Sequence, residues 1–134
     1  MRSLFKRLLR LGDRGERYAA RYLKKQGLRI VARNYRNQFG EIDLIAVDGD
    51  QVVFVEVKTR KSNKFGEPVE AVGYAKQKKL TQLAMVYLKR HKLLDRPARF
   101  DVVGILWPEG AKKPEDVRHY RNAFEPVGRG QMFS

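Results

Sequence analysis

The chain has 134 residues and carries 29 lysine and arginine residues against 15 acidic residues, which gives a net charge of +14 at pH 7. It contains no cysteine and only two histidines, so disulfides, thiolate metal sites and cysteine nucleophiles are excluded, and any metal must bind mainly through oxygen, as Mg²⁺ or Mn²⁺ does. The length predicts one domain, and the charge favours a polyanionic partner, most often nucleic acid, although ribosomal or membrane-surface binding would give the same bias.

The amino-terminal residues 1–11 predict a basic lead-in segment rather than a signal peptide, because charged residues interrupt the apolar run that a signal peptide needs. No stretch approaches the roughly 18 apolar residues of a membrane span, so we expect a cytoplasmic protein with no membrane association. Residues 12–26 predict a first helix that begins at Asp13 and stops at Gly27. Glu16 lies at the edge of its apolar face, either as a surface charge or as an acid near a site.

Five segments with strand-like composition follow that helix, over residues 28–36, 41–47, 51–59, 98–107 and 117–124. The sequence Asp48-Gly49-Asp50 predicts a tight hairpin turn between the second and third strands. A second helix is predicted between the third and fourth strands, from Val69 to Leu94. The order α-β-β-β-α-β-β predicts an α/β fold in which a mixed sheet of about five strands is flanked by helices. This single domain is expected to span residues 12–124, followed by a flexible tail over residues 125–134.

Charged residues interrupt the otherwise apolar hairpin formed by the second and third predicted strands. Because residues two apart point to the same side of a strand, Glu56 and Lys58 share one face. A two-residue turn opposes Asp43 to Phe54 or to Glu56, and either register brings Asp43 onto the face of Glu56 and Lys58. A three-residue loop would place Asp43 on the opposite face. An even-length turn therefore predicts two carboxylates and one ammonium group at a single sheet surface.

Two carboxylates within a few ångströms of each other repel unless a cation lies between them. Mg²⁺ typically binds one or two carboxylates together with water and phosphate oxygens, and it can acidify a water and stabilise a phosphodiester under attack. Lys58 can orient that water, help to deprotonate it or neutralise developing charge. Asp43 and Glu56 are thus candidate metal ligands of a hydrolytic nuclease. The alternative is an ordinary ion pair between Glu56 and Lys58 on a solvent-facing side of the sheet, and the residues alone leave both open.

Further polar residues are candidates for contacts with phosphate. Lys76 lies in the middle of the apolar face of the second helix, where it either extends along the surface to a sheet edge or reaches the acids or a phosphate, and Gln77 beside it can do the same. Arg99 and Asp101 share a face of the fourth strand and predict a structural ion pair. Three cations immediately follow the third strand and are the best-placed phosphate ligands: Arg60, Lys61 and Lys64.

Six short motifs occur in order along the chain: GExxA in the first helix, GEIDLIA, VFVEVKTR, FGEPVEAV, RFDVV and RNAF. Together they resemble the small bacterial YraN family, which is similar to archaeal Holliday junction resolvases and to the PD-(D/E)xK nucleases. The resemblance implies a restriction-endonuclease-like fold and Mg²⁺-dependent phosphodiester cleavage, with Asp43 as the metal-binding aspartate and Glu56 and Lys58 as the (D/E)xK pair. It also implies a catalytic role for Glu16, which matches a glutamate in the first helix of the resolvases. Ile42 departs from the pattern, since it stands where the signature has proline.

Two functions follow as hypotheses. The first is a Mg²⁺- or Mn²⁺-dependent endonuclease that hydrolyses phosphodiester bonds of DNA, with branched or damaged DNA as the candidate substrate. The second is a DNA- or RNA-binding module on a nuclease scaffold with no turnover of its own, and RNA processing is a third option. A homodimer would allow symmetric cutting of two strands, and it is expected only on that ground.

Overall fold

Two helices and five strands make up the described part of the chain. A computed structural model describes residues 4–62 and 72–128, with side chains from residue 14 onwards; residues 129–134, most of the predicted tail, lie outside it. The elements follow in the order α1 (Leu4–Lys25), β1 (Arg29–Asn37), β2 (Gly40–Asp48), β3 (Gln51–Arg60), α2 (Tyr74–Arg90), β4 (Ala98–Leu106) and β5 (Asp116–Phe124). The predicted α/β fold with the order α-β-β-β-α-β-β is confirmed, and each strand begins and ends within one residue of its predicted bounds.

All five strands form one mixed sheet in the order β1-β2-β3-β4-β5. β3 and β4 are parallel, and the other neighbours are antiparallel. Parallel neighbours cannot be joined by a tight turn, so α2 provides the crossover between β3 and β4. β3 therefore lies at the centre of the sheet, and it carries the continuous buried run that is typical of a strand covered on both faces.

The two helices cover opposite faces of the sheet, and side chains alternate between those faces along β3. Phe54 points to the face under α2, where it packs in a buried apolar cluster with Leu83. Val55 points to the face under α1, where it packs in a second cluster with Leu23. Burying each of these side chains contributes about 1.5–3 kcal/mol to folding. By the same alternation, the next residue, Glu56, faces α2.

α1 is longer than the sequence pattern predicts. It begins at Leu4, so the predicted lead-in over residues 1–11 and the predicted helix over residues 12–26 form largely one element. Asp13 therefore lies within the helix and not at its N-cap. Neither helix in the described ranges is long and apolar enough to cross a membrane.

α2 is shorter than the sequence pattern predicts. It spans Tyr74–Arg90, whereas the apolar periodicity extends from Val69 to Leu94. Gly73, directly before it, is extended at φ −72° and ψ 171°. Lys92 has a positive φ of 57°, which a right-handed helix cannot accommodate. The predicted start at Val69 lies outside the described residues.

Candidate active site

The hairpin between β2 and β3 determines which charged side chains meet. Its turn consists of two residues, Gly49 and Asp50. Gly49 has a positive φ of 64°, as tight two-residue turns require. The predicted even-length turn is therefore confirmed, and its register carries Asp43 towards Glu56.

β2 and β3 separate at the site itself. Their pairing ends at Leu44 and Val55, one step before Asp43 would face Glu56. In a continued ladder the amide of Val57 would donate to the main chain of β2, but it donates to Asp43 Oδ2 at 2.7 Å instead. The Asp43 carboxylate thus replaces a strand-to-strand hydrogen bond and lies where the two strands part.

Glu56 is a buried acid, with only 4% of its surface exposed. The first turn of α2 supplies Lys76, which forms an ion pair with Glu56 Oε2. Lys58 Nζ, from the same face of β3, lies 3.7 Å from that oxygen. The structure therefore brings together four of the predicted site residues: Asp43, Glu56, Lys58 and Lys76.

The surroundings of Asp43 are unfavourable for a charged carboxylate. Burial and the neighbouring Glu56 raise the pKa of Asp43 to about 8, although the hydrogen bond from Val57 opposes this change. The charge of Glu16, on α1, raises it further, so Glu16 lies close enough to influence the site. At neutral pH Asp43 therefore tends to keep its proton, because burial and the neighbouring Glu56 disfavour its charged form.

The two lysines of the site differ in their ionisation. Burial lowers the pKa of Lys58; the charge of Glu56 opposes this effect, and the charge of Lys76 adds to it. Burial also acts to lower the pKa of Lys76, but the hydrogen bond to Glu56 raises it above its ordinary value. Lys76 is therefore a firmly charged ion-pair partner, whereas Lys58 gives up a proton more readily.

The donor atoms of the site fit a hard divalent cation. Asp43 and Glu56 present carboxylate oxygens from adjacent strands, and a cation between them would relieve the repulsion that raises the pKa of Asp43. Within the described ranges, no group of three or more histidine, cysteine or acidic side chains has the spacing of a metal site. Mg²⁺ commonly uses only one or two carboxylates and completes its shell with water and phosphate oxygens.

The remaining residues predicted to contact nucleic acid have different neighbours. Gln77 donates its side-chain amide to a main-chain carbonyl just before α2, at 2.7 Å. Lys61 Nζ lies 3.6 Å from Glu109, and both side chains are largely exposed. Arg60 lines a separate cavity at the end of β3. Lys64 lies outside the described residues.

A second charged cluster lies where β4 meets β5. The buried Asp101 accepts hydrogen bonds from Arg99 Nε at 2.9 Å, from His119 Nε2 at 2.7 Å and from the Asn122 amide at 2.9 Å. Arg99 also donates to Asp48 at 3.0 Å. Burial alone would raise the pKa of Asp101, but the hydrogen bonds from His119 and Arg99 hold it below its ordinary value. The predicted structural ion pair between Arg99 and Asp101 is confirmed.

Sequence reasoning missed the contact between Arg14 and Trp107. The Arg14 guanidinium carbon lies 4.1 Å from the centroid of the Trp107 ring. The two residues belong to α1 and to the segment after β4, and no spacing rule connects positions so far apart. The one available signal was that Trp107 is the single tryptophan of a strongly basic chain.

Sequence comparison relates the chain to known proteins. The profile of the Uncharacterised protein family UPF0102 matches residues 15–105, which include the whole candidate site from Glu16 to Lys76. A UPF0102 protein of Symbiobacterium thermophilum is 53% identical over 116 residues, covering 86% of this chain and 96% of the relative. A UPF0102 protein of Syntrophus aciditrophicus is 48% identical over 118 residues, covering 87% and 90%. The chain therefore belongs to the UPF0102 family, and the family membership predicted from its motifs is confirmed.

Proposed function

We propose that this protein is a Mg²⁺- or Mn²⁺-dependent endonuclease that hydrolyses phosphodiester bonds of DNA. The observation that carries the proposal is the pair of neighbouring carboxylates, in which burial and the charge of Glu56 raise the pKa of Asp43 to about 8. Such a pair destabilises the protein unless a cation is bound. Strongly perturbed carboxylates beside lysines are typical of functional sites.

Each side chain of the site has a role in this proposal. Asp43 and Glu56 would hold the ion, which when bound supplies an acidified water and stabilises charge on the phosphodiester. The amide of Val57 keeps the Asp43 carboxylate oriented. Lys58 orients the attacking water or accepts its proton, which its lowered pKa favours. Lys76, beside Glu56, is placed to contact a phosphate oxygen.

A groove beside the site is an argument for a nucleic-acid substrate. It has a volume of about 520 Å³, lies between the β1–β2 turn and the start of α2, and is lined by residues that include Phe39, Lys76 and Lys79. Two lysines in a groove next to paired acids suit a phosphodiester chain, and the net charge of +14 adds long-range attraction. We propose branched or damaged DNA as the form bound, and a two-fold dimer as the arrangement that cuts two strands.

One observation favours the second candidate, a nucleic-acid-binding module without turnover. Lys76 already forms an ion pair with Glu56 Oε2, so a cation of the protein itself neutralises one of the two proposed metal ligands. If Lys76 holds that position permanently, a divalent ion gains less by binding. The module would then bind DNA or RNA through its cationic residues alone.

A cleavage assay separates the two candidates. The protein is incubated with linear, flapped and four-way DNA, and with matched RNA, in Mg²⁺, in Mn²⁺ and in a chelator, while binding is measured on the same substrates. Under the endonuclease proposal, Glu56→Gln lowers cleavage by about 10²–10³-fold because it removes a charged ligand, and binding changes little. Glu115→Gln is the matched control, because Glu115 is exposed in the segment between β4 and β5 and does not line the groove.

The outcomes are distinct. Divalent-ion-dependent cleavage that is lost in Glu56→Gln and kept in Glu115→Gln supports the endonuclease. Binding without cleavage of any substrate in either ion supports the module. Equal cleavage by both variants would show that the activity does not come from this site. Preferential cutting of RNA in the same assay would assign the protein to RNA processing.

A further inference from the structure

A separate cavity opens at the carboxyl ends of β3 and β4. It has a volume of about 340 Å³ and is lined by residues that include Arg14, Arg60, Lys61 and Trp107. Three cations and one aromatic ring therefore face a space that none of the four core residues of the candidate active site lines. Among the described residues that line it, Glu109 is the one acid, so their summed charge is positive.

The aromatic side of the cavity is held in place before any ligand binds. The Arg14 guanidinium lies over the Trp107 ring at 4.1 Å, and Arg14 Nη2 donates to the Ala111 carbonyl at 3.3 Å. Trp107 Nε1 donates to the same carbonyl at 2.9 Å. Tyr18 contacts the ring edge-on, with centroids 5.9 Å apart. Unpaired bases stack on aromatic rings and on guanidinium planes of this kind, largely without regard to sequence.

The cationic side of the cavity lacks an acceptor. Arg60 Nε is buried and has no hydrogen-bond partner among the described residues. A buried donor without a partner is destabilising, and a phosphate oxygen reached by a rotation of the guanidinium would relieve that deficit. Lys61 pairs with Glu109 at 3.6 Å, and the two side chains are 71% and 82% exposed. Because so exposed a pair is weak, Lys61 can exchange Glu109 for another anion.

We propose that this cavity binds one unpaired nucleotide of a DNA single strand, with its phosphate at Arg60 and Lys61 and its base against Arg14 and Trp107. The inference rests on the proposed nuclease function. Arg60 follows Glu56 by four positions on β3, a separation of about 13 Å. That distance corresponds to roughly four nucleotides of a strand with duplex-like rise. A strand bound at Asp43 and Glu56 thus reaches the cavity about four nucleotides away, and its base can enter only if it is unpaired there. The cavity would therefore favour flapped, branched or damaged DNA over intact duplex.

Trp107 is the only tryptophan of the chain, so its fluorescence reports directly on the cavity. The test titrates the full chain, in chelator, with a labelled single-stranded oligonucleotide and follows both Trp107 emission and label anisotropy. Two further arms use a free deoxynucleoside monophosphate at the same nucleotide concentration and a blunt duplex. We expect quenching of Trp107 that rises in step with single-strand binding, and weaker quenching in the other two arms.

A pair of charge-matched variants sharpens the test. Arg60→Met keeps the aliphatic part of the side chain and removes the guanidinium, so we expect about tenfold weaker single-strand binding and reduced quenching. Lys24→Met removes the same charge from the exposed end of α1, and we expect single-strand binding within about twofold of the original protein. Unchanged Trp107 emission without DNA confirms that the cavity is intact in both variants.

Each result decides the inference. Oligonucleotide binding without a change in Trp107 emission, or equal weakening by both variants, overturns the proposed subsite and leaves the nuclease proposal untouched. If the monophosphate quenches Trp107 as strongly as the oligonucleotide does, the cavity binds a free nucleotide and its proposed contact with a DNA strand is wrong. Selective quenching by single strands together with no cleavage in any divalent ion supports the subsite and overturns the nuclease.

Discussion

The described part of the chain buries two groups of charged side chains, and their hydrogen-bonding needs are met to very different degrees. At the junction of β4 and β5, Asp101 accepts hydrogen bonds from Arg99, His119 and Asn122, and the pKa of Asp101 lies below its ordinary value. At the point where β2 and β3 part, one amide donates to Asp43, a second carboxylate lies beside it, and the pKa of Asp43 is about 8. Both groups are buried, so burial alone does not account for the difference.

The difference indicates which group is structural. A buried carboxylate with a full set of hydrogen-bond donors depends on each of them, because removing any one leaves its charge uncompensated. Such a carboxylate therefore keeps the folded structure together. A buried carboxylate whose pKa is raised by a neighbouring carboxylate opposes folding at neutral pH, and a sequence retains such a pair where binding or catalysis requires it. The cluster around Asp101 therefore belongs to the scaffold, and the pair formed by Asp43 and Glu56 belongs to the proposed site.

The largest effect should come from breaking the satisfied cluster. Asp101→Asn removes the buried carboxylate that accepts hydrogen bonds from Arg99 and His119, so we expect the free energy of unfolding to fall by about 3–5 kcal/mol. Denaturant unfolding of the metal-free protein measures this change. Asp116→Asn is the control, because Asp116 pairs with Arg118 at 2.9 Å on the surface and should contribute less than about 1 kcal/mol. Similar losses in both variants would contradict the structural role of Asp101.

The unsatisfied pair should behave in the opposite way. Between pH 4 and the folded-state pKa of Asp43 of about 8, the folded protein holds a proton that the unfolded chain has released. The free energy of unfolding should therefore decrease as pH rises through this window, by up to about 1.4 kcal/mol per pH unit. Asp43→Asn has no proton to release at this position, so its free energy of unfolding should lack this slope and should exceed that of the original protein at pH 8 by several kcal/mol.

Unfolding of both proteins at pH 5 and pH 8 in chelator measures the difference. Asp101 does not contribute to this slope, because its lowered pKa places its titration below the window. Equal pH slopes for the original protein and Asp43→Asn would show that Asp43 is charged in the folded protein.

Divalent ions should remove the contrast between the two clusters. Mn²⁺ or Mg²⁺ at about ten times its dissociation constant adds about 1.4 kcal/mol to the stability of a protein that binds it only when folded. At a fixed ion concentration the gain should be larger at pH 8 than at pH 6, since the proton on Asp43 must leave before the ion binds. Thermal unfolding of the original protein and of Glu56→Gln tests this. An equal rise in melting temperature for both would place the ion elsewhere.

The smallest effect should come from a charged pair that belongs to neither cluster. Arg36 and Glu41 form an exposed ion pair at 3.0 Å near the tip of the β1–β2 hairpin. We expect Arg36→Ala to change the free energy of unfolding by less than about 1 kcal/mol and to leave cleavage unaltered. Denaturant unfolding and the cleavage assay measure both. A large loss of activity would show that this hairpin tip is part of the functional site.

The sequence predicts the meeting of Asp43 and Glu56 because the signals involved are local. A glycine in a short polar turn sets the hairpin register, and the alternation of side chains does the rest. The spacing of α2 likewise predicts that Lys76 is either solvent-directed or close to the acids, and the structure places it on Glu56. Local patterns do not show that β2–β3 pairing ends at Leu44. The end of this pairing depends on the geometry of the whole sheet, which a local pattern does not contain.

Other features require contacts between distant parts of the chain. The sequence predicts the pair of Arg99 and Asp101, two positions apart, but His119 reaches Asp101 only because β4 and β5 pair with an irregularity near Asn122. Apolar periodicity predicts α2 from Val69, whereas the described helix begins at Tyr74, directly after the extended Gly73. Non-local geometry accounts for each of these differences.

The separation of β2 from β3 has a practical consequence for following the site in solution. The amide of Val57 is bonded to the carboxylate of Asp43 and also belongs to the strand that carries Glu56 and Lys58. Its proton resonance should respond whenever that carboxylate loses its proton or gains a ligand. Nuclear magnetic resonance can therefore follow the occupancy of the proposed site through this single main-chain signal, with no substitution of Asp43, Glu56 or Lys58.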